Sequence, residues 1–217
     1  IKVNQTYRGP LLKTIEQIAE SFKPWNPGTE LTVGLFSSVV PEFDERAFRE
    51  ALVNAFGHRD YSLLGRVRVL VDDAGLTIAN PGGFVEGINV HNLLTAEPRG
   101  RNPCLMDALK RTGLAERTGR GINRIFEGAL NYGRPLPDYS RSNRRGVSVL
   151  LPRSVPDKAF VELLAEERER SGKSMSLDGL LILDKLKSER RCGFDVLSGS
   201  LDMSDQRLRT VLGQLTE

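Results

Sequence analysis

The sequence predicts an α+β protein that ends in a small all-α unit. Apolar residues recur at helical spacing in several separated segments, an alternating hairpin lies between two of them, and residues 176–217 carry helical periodicity alone. Residues 9–22 space Leu11, Leu12, Ile15, Ile18 and Ala19 as one helix face, and Leu31-Thr32-Val33-Gly34-Leu35-Phe36 then alternates as a strand. Pro41 interrupts the chain, and Asp44 is the expected N-cap of a helix through Glu50. Past Gly65, Val67-Arg68-Val69-Leu70-Val71 and Leu76-Thr77-Ile78-Ala79 flank the turn Asp72-Asp73-Ala74-Gly75, a hairpin pattern. Residues 85–119 are polar, basic and punctuated by Gly and Pro, with one helix expected over residues 105–111. A further helix starts near Gly121, and Gly146-Val147-Ser148-Val149-Leu150-Leu151 reads as a closing strand.

Chemistry concentrates on the helix through Glu50. Residues four apart on a helix differ by only about 40° in direction, so Glu50, Asn54 and His58 form one polar seam. Leu52, Val53, Ala55 and Phe56 supply the burying face, which sets the seam beside the core. A carboxylate there can orient water, and an amide oxygen can ligate a hard cation. An ordinary hydrogen-bonded pair on a helix surface would read the same way.

With 217 residues, 39% of them apolar, the chain can bury a core of average domain size and a smaller second one. The formal charge of +3 is uneven: residues 1–153 hold 21 Lys/Arg against 16 Asp/Glu, and residues 154–217 hold 10 against 12. Arg99, Arg101, Lys110, Arg111, Arg117, Arg120 and Arg124 cluster, as where an anion is held. Cys104 and Cys192 are too few and too far apart to indicate a disulfide framework or a thiolate metal site, so a reducing, cytoplasmic setting is expected. No apolar run approaches the roughly 18 to 20 residues of a membrane span. The start lacks both Met and a signal-peptide pattern, so a piece of a longer protein is expected.

Glu50-x3-Asn54, a strand ending in Asn80-Pro81-Gly82-Gly83, and Thr118-Gly119-Arg120-Gly121 opening a helix resemble the three nucleotide boxes of the GHKL (Bergerat) ATP-binding fold of gyrase and histidine kinases. More closely, EALVNAFGHRDY, NPGGF, RGRNP and ERTGRGINRI resemble the ATP-binding domain of Schlafen/AlbA-associated bacterial transcriptional regulators, a domain often labelled RecG-like. The resemblance implies a two-layer α/β sandwich over residues 1–153, binding ATP and Mg²⁺. By the family pattern Asn54 ligates the metal and Glu50 polarises the attacking water where hydrolysis occurs. Asn80 stands where the wider fold has a carboxylate for the adenine amine. Its oxygen can accept from that amine, whereas its NH₂ would favour a base with a carbonyl there.

The nucleotide-binding set implied by the resemblance is completed by His58, Gly82, Gly83, Arg101, Asn102, Thr118, Gly119, Arg120 and Gly121. Two glycines at a helix start expose peptide N–H groups to phosphate, although glycine there also serves capping alone. The basic segment matches a lid over the phosphates, or a solvated loop. Ser171-Gly172-Lys173-Ser174 mimics the end of a Walker loop, but that loop needs Gly six positions before its Lys, and residue 167 is Glu. No helicase motor motif is present, so an enzyme here would be a slow ATPase.

A linker helix is expected over residues 154–175, then a partial winged helix-turn-helix over residues 176–217. Ser204 would cap a recognition helix exposing Gln206, Arg207, Arg209 and Thr210 to DNA. Residues 175–217 hold six Lys/Arg against seven Asp/Glu, an unusual balance for a DNA reader, and a helical docking module is the alternative. The reading overall is an ATP-binding transcriptional regulator, compatible with a homodimer. The rival is a degenerate, nucleotide-free sandwich serving as a protein-assembly platform.

Overall fold

A computed structural model describes residues 3–33, 36–115 and 119–216. Helix α1 (Leu11–Phe22) turns Ile15 and Phe22 into the core. After a short 3-10 turn, β1 (Gly28–Val33) and β2 (Phe36–Pro41) pair antiparallel. The single strand expected over residues 31–36 is therefore corrected to parts of two hairpin arms. Alternation is the same in both arms, so periodicity cannot locate the reversal. Gly34 and Leu35 lie outside the described residues.

Helix α2 (Glu45–Gly57) starts where Asp44 was expected to cap it: Asp44 Oδ1 accepts from the amides of Arg46 and Ala47, both at 2.9 Å. Such a cap contributes about 1 kcal/mol by satisfying otherwise orphaned donors. Phe48 of α2 stacks on Phe22, with ring centroids 4.0 Å apart, while Leu52 and Val53 are fully buried.

Strands β3 (Arg68–Asp72), β4 (Gly75–Pro81) and β5 (Gly146–Pro152) form an antiparallel sheet in that order. Asp72 pairs with Gly75, which leaves Asp73 and Ala74 as the turn. The Asp72 carboxylate accepts from the Ala74 and Gly75 amides, and Gly75 takes a φ of +141°, a conformation side chains rarely adopt. On β4, Leu76, Ile78 and Asn80 are buried, opposite Leu151, Val149 and Val147 of β5. The last of these inward positions is polar.

Helices α3 (Pro103–Arg111) and α4 (Gly121–Leu130) lie between β4 and β5 in the chain, and α2 packs against both α4 and β4. Sheet and helices thus form two layers around Leu52, Leu76, Ile78, Ile125, Leu130 and Val149. Helix α5 (Lys158–Ser171) ends at Gly172, whose left-handed φ of +68° closes it. The Walker-like tetrapeptide is accordingly a helix C-terminus, not a strand-to-helix phosphate loop.

Helices α6 (Leu177–Glu189), α7 (Phe194–Leu201) and α8 (Asp205–Thr216) pack on one another through Leu180, Leu197, Met203, Leu208 and Val211. The α7–α8 turn passes through Asp202 in a left-handed conformation, and Ser204 Oγ accepts from the Arg207 amide at 3.4 Å. Helix α6 also packs on α4, so the apolar core continues from one part into the other. Lys187 fastens this join, pairing with Asp157 at 3.0 Å and donating to the Gly133 carbonyl at 2.8 Å. Among the described residues no helix is long and apolar enough to cross a membrane. Cys104 and Cys192 are free thiols.

Candidate functional site

The polar seam of α2, the end of β4 and the start of α4 open onto one cavity of about 420 Å³. Glu50, Asn54 and His58 line it from α2, Asn80 and Gly83 from β4 and its exit, and Gly119 and Gly121 from the entry to α4. Ile78, Val147 and Val149 give it an apolar wall, while Arg99 and Lys110 bring positive charge. A hollow of this size suits a ligand of several hundred daltons, mostly apolar in contact with a few placed polar groups. Residues 93, 94 and 96–100, with the acidic Glu97 beside Arg99, line the same cavity, which puts part of the basic segment against it.

Glu50 is only 3% exposed. Its carboxylate lies against Gly121, so close that an ideal Cβ built there would fall on Oε1 and 2.7 Å from Cδ. An anion at this helix start meets the positive end of the α4 dipole. Gly121 thus has a packing reason to be glycine in addition to any phosphate contact.

Asn80 is 7% exposed, and its Nδ2 donates to the carbonyls of Pro81 at 3.0 Å and Gly82 at 3.4 Å. Both N–H bonds are therefore spent on backbone. The oxygen accepts from no protein donor among the described residues.

His58 ends α2, its amide donating to the Asn54 carbonyl at 2.8 Å. Burial foremost, with the Arg101 charge adding to it, pushes the imidazole below its ordinary range. A histidine that resists protonation in the folded state destabilises that state as pH falls below the ordinary value of about 6.5, because the unfolded chain then binds the extra proton. Unfolding in urea at pH 7.5 and at pH 5.5 should therefore show stability falling toward the lower pH, and His58→Gln should flatten that dependence. An unchanged slope in the variant would assign the effect elsewhere.

Four residues of the expected set do not line the cavity. Arg101 donates to the Gly83 carbonyl at 2.9 Å and pairs with Asp60 at 3.4 Å, tying the basic segment to the β4 exit. Asn102 donates to the carbonyls of Gly57 at 2.9 Å and Arg59 at 2.8 Å, covering the open C-terminal end of α2. Gly82, at φ +93°, admits Asp60, whose Cβ would lie 2.6 Å from an added Cβ. Arg120 is exposed at the N-cap of α4. Gly83 does line the cavity, but the space it saves is taken by the backbone of Asn143 and Arg144. Thr118 lies outside the described residues.

Sequence motifs missed Tyr139, which lines the cavity at 7% exposure. Burial foremost, and then the charge of Glu50, push its phenol up, so it stays protonated. The available signal was thin: a polar aromatic in Leu136-Pro137-Asp138-Tyr139, ahead of the alternating closing strand.

The recognition-helix candidates Gln206, Arg207, Arg209 and Thr210 are all exposed on α8. Three of their side chains already have partners. Arg207 is bidentate to Asp178 of α6, at 2.6 and 2.7 Å, and Arg209 lies over the Phe194 ring at 4.6 Å. Thr210 Oγ1 donates to the Gln206 carbonyl at 2.9 Å.

No cluster of three or more His, Cys, Asp or Glu suited to a metal occurs among the described residues. Among the oxygen donors lining the cavity, Asn54 stands one helical turn from Glu50 on α2, a sparse set that would suit a hard cation arriving with phosphate oxygens and water rather than one held by protein alone.

Residues 65–151 match the family described as "Putative ATP-dependent DNA helicase recG C-terminal". The crystal structure of the DIP2311 protein from Corynebacterium diphtheriae is similar in fold, with a TM-score of 0.80 and 24% identity, covering 94% of this chain and 41% of that one. This chain therefore spans less than half the length of that protein. No curated protein matches the sequence. The family match supports an ATPase-like domain over residues 65–151, the segment that carries Asn80, Gly83, Gly119, Gly121 and Tyr139 of the cavity wall.

Proposed function

We propose that the chain is the ATP-binding and helix-turn-helix part of a transcriptional regulator, and that Mg-ATP occupies the cavity between α2, β4 and α4. One observation carries this reading: the acid-amide-imidazole seam, the Asn80 corner and the glycine-opened helix start, spread over residues 50–121, share a single hollow. In the reading, the base rests on the apolar wall with its amine toward Asn80 Oδ1. The phosphates lie toward Gly119, Gly121, Arg99 and Lys110, where peptide N–H groups and positive charge favour them. Asn54 is the protein ligand for a Mg²⁺ that comes with the phosphates and would shield their charge.

Equilibrium binding of a fluorescent ATP analogue, with and without Mg²⁺, tests the reading. Saturable binding that strengthens with Mg²⁺ is expected, and the platform alternative predicts no saturable signal at millimolar nucleotide. Hydrolysis, where it occurs, would use Glu50 to orient water. Glu50→Ala should then abolish turnover while retaining most of the binding, and undiminished turnover would remove Glu50 from that role.

For α8, the reading assigns DNA contact to Gln206, Arg209 and Thr210 ahead of Arg207, whose guanidinium already serves Asp178. With the full-length protein and promoter DNA, Arg209→Ala should weaken binding and lower the slope of log affinity against log salt by about 1. Arg207→Ala should instead act mainly on the melting temperature. An unchanged salt slope in Arg209→Ala would favour a docking role for the three helices.

A further inference from the structure

The cavity holds a hydrogen-bonding group that none of the motifs includes. The Tyr139 ring stacks on Phe126, with centroids 6.4 Å apart and planes 8° from parallel, and is tilted against Phe84 at 6.3 Å. Its backbone is equally fixed, since the preceding residue Asp138 exchanges both amide hydrogen bonds with Leu150, at 2.8 and 2.9 Å. Yet no described residue donates to or accepts from the phenol oxygen, although the side chain is buried in the cavity wall. The oxygen is not among the enclosed polar atoms left without a partner, so it is open to solvent in a residue that lines the cavity, where a ligand that displaces water would have to replace that hydration.

Asn80 is the complement. Its NH₂ is used by two carbonyls and its Oδ1 by no described donor. The cavity lining therefore includes one hydroxyl donor and one amide acceptor with no partner among the described residues, beside the apolar Ile78, Val147 and Val149. A planar heterocycle with an amine beside a ring nitrogen satisfies both at once. A carbonyl in place of the amine would set two acceptors against each other at Asn80.

We propose that Tyr139 is a specificity-determining residue that donates its hydroxyl proton to a ring nitrogen of the bound base, while Asn80 Oδ1 accepts from the exocyclic amine, so that the site selects adenine nucleotides over guanine nucleotides. This rests on the nucleotide reading above. Because burial and the nearby Glu50 charge both keep the phenol protonated, the donor persists across the neutral pH range.

The test compares ATP, 1-deaza-ATP, 7-deaza-ATP and GTP binding to the wild-type chain and to Tyr139→Phe, which retains the ring stack. In the wild type, GTP and one of the two deaza analogues should bind about five- to twentyfold more weakly than ATP, the loss expected when a buried donor is left unmet. Tyr139→Phe should lose a similar factor for ATP and bind that same deaza analogue as well as it binds ATP. The deaza comparison in the wild type needs no variant, so it stands even if Tyr139→Phe proves unstable. Equal affinity of the wild type for ATP and both deaza analogues, or of both proteins for ATP, overturns the assignment while leaving the nucleotide reading intact. Failure of the wild type to bind ATP at all overturns that reading, and the inference with it.

Discussion

Gly121→Ala is expected to lower folding stability by about 1–3 kcal/mol, the usual cost of forcing an extra carbon into a packed site. It should also weaken ATP binding at least tenfold. The added Cβ would overlap the Glu50 carboxylate, which is buried against the start of α4 and has only the cavity to yield toward. Either the start of α4 retreats from α2 or Glu50 is driven into the cavity, and both changes alter the wall that meets the phosphates. Urea denaturation and nucleotide binding on the same variant check the two parts separately. Adding Glu50→Ala to Gly121→Ala should restore most of the stability, since the overlapping atoms are then gone, and such non-additivity is what residues in direct contact show. Additive losses in the double variant would mean that the contact is not the cause.

Asn54→Ala is expected to have the largest effect on binding alone. The residue is half-buried on α2, and alanine is at least as good a helix former, so folding stability should change by less than about 1 kcal/mol. If its amide oxygen holds the phosphate-bound cation, the variant should lose about ten- to a hundredfold in affinity for Mg-ATP, the range expected for a contact to a charged group. Affinity measured in EDTA should stay within about twofold of wild type. The diagnostic quantity is the ratio of the two affinities, which falls toward one in the variant. Equal losses with and without Mg²⁺ would make Asn54 a general wall residue instead of a metal ligand.

Local patterns carried the parts of the fold that local physics decides. Asp44 was readable as a cap because one side-chain oxygen reaches two amides at a helix start, and Asp72-Asp73-Ala74-Gly75 because a tight turn needs a residue free to take a positive φ. The seam of Glu50, Asn54 and His58 was legible for the same reason, as helical spacing alone puts three groups on one face. Arg101 and Asn102 show where that reasoning stops. They stand beside each other in a matching motif, yet each turns to a partner about 40 residues earlier, Asp60 for one and the end of α2 for the other. Adjacency in sequence does not say which side chain enters a cavity. Tyr139 was invisible for the converse reason: it reaches the site only because Asp138 pairs with Leu150 and the ring is held by Phe126 and Phe84, contacts that no short segment encodes.

The most direct measurement is a crystal structure of the chain grown with Mg²⁺ and a non-hydrolysable ATP analogue. The nucleotide is expected in the cavity of about 420 Å³ with its amine on Asn80, its phosphates at the Gly119 and Gly121 backbone, and the cation on Asn54. Nucleotide bound elsewhere on the molecule, or a vacant cavity at saturating analogue, would contradict it.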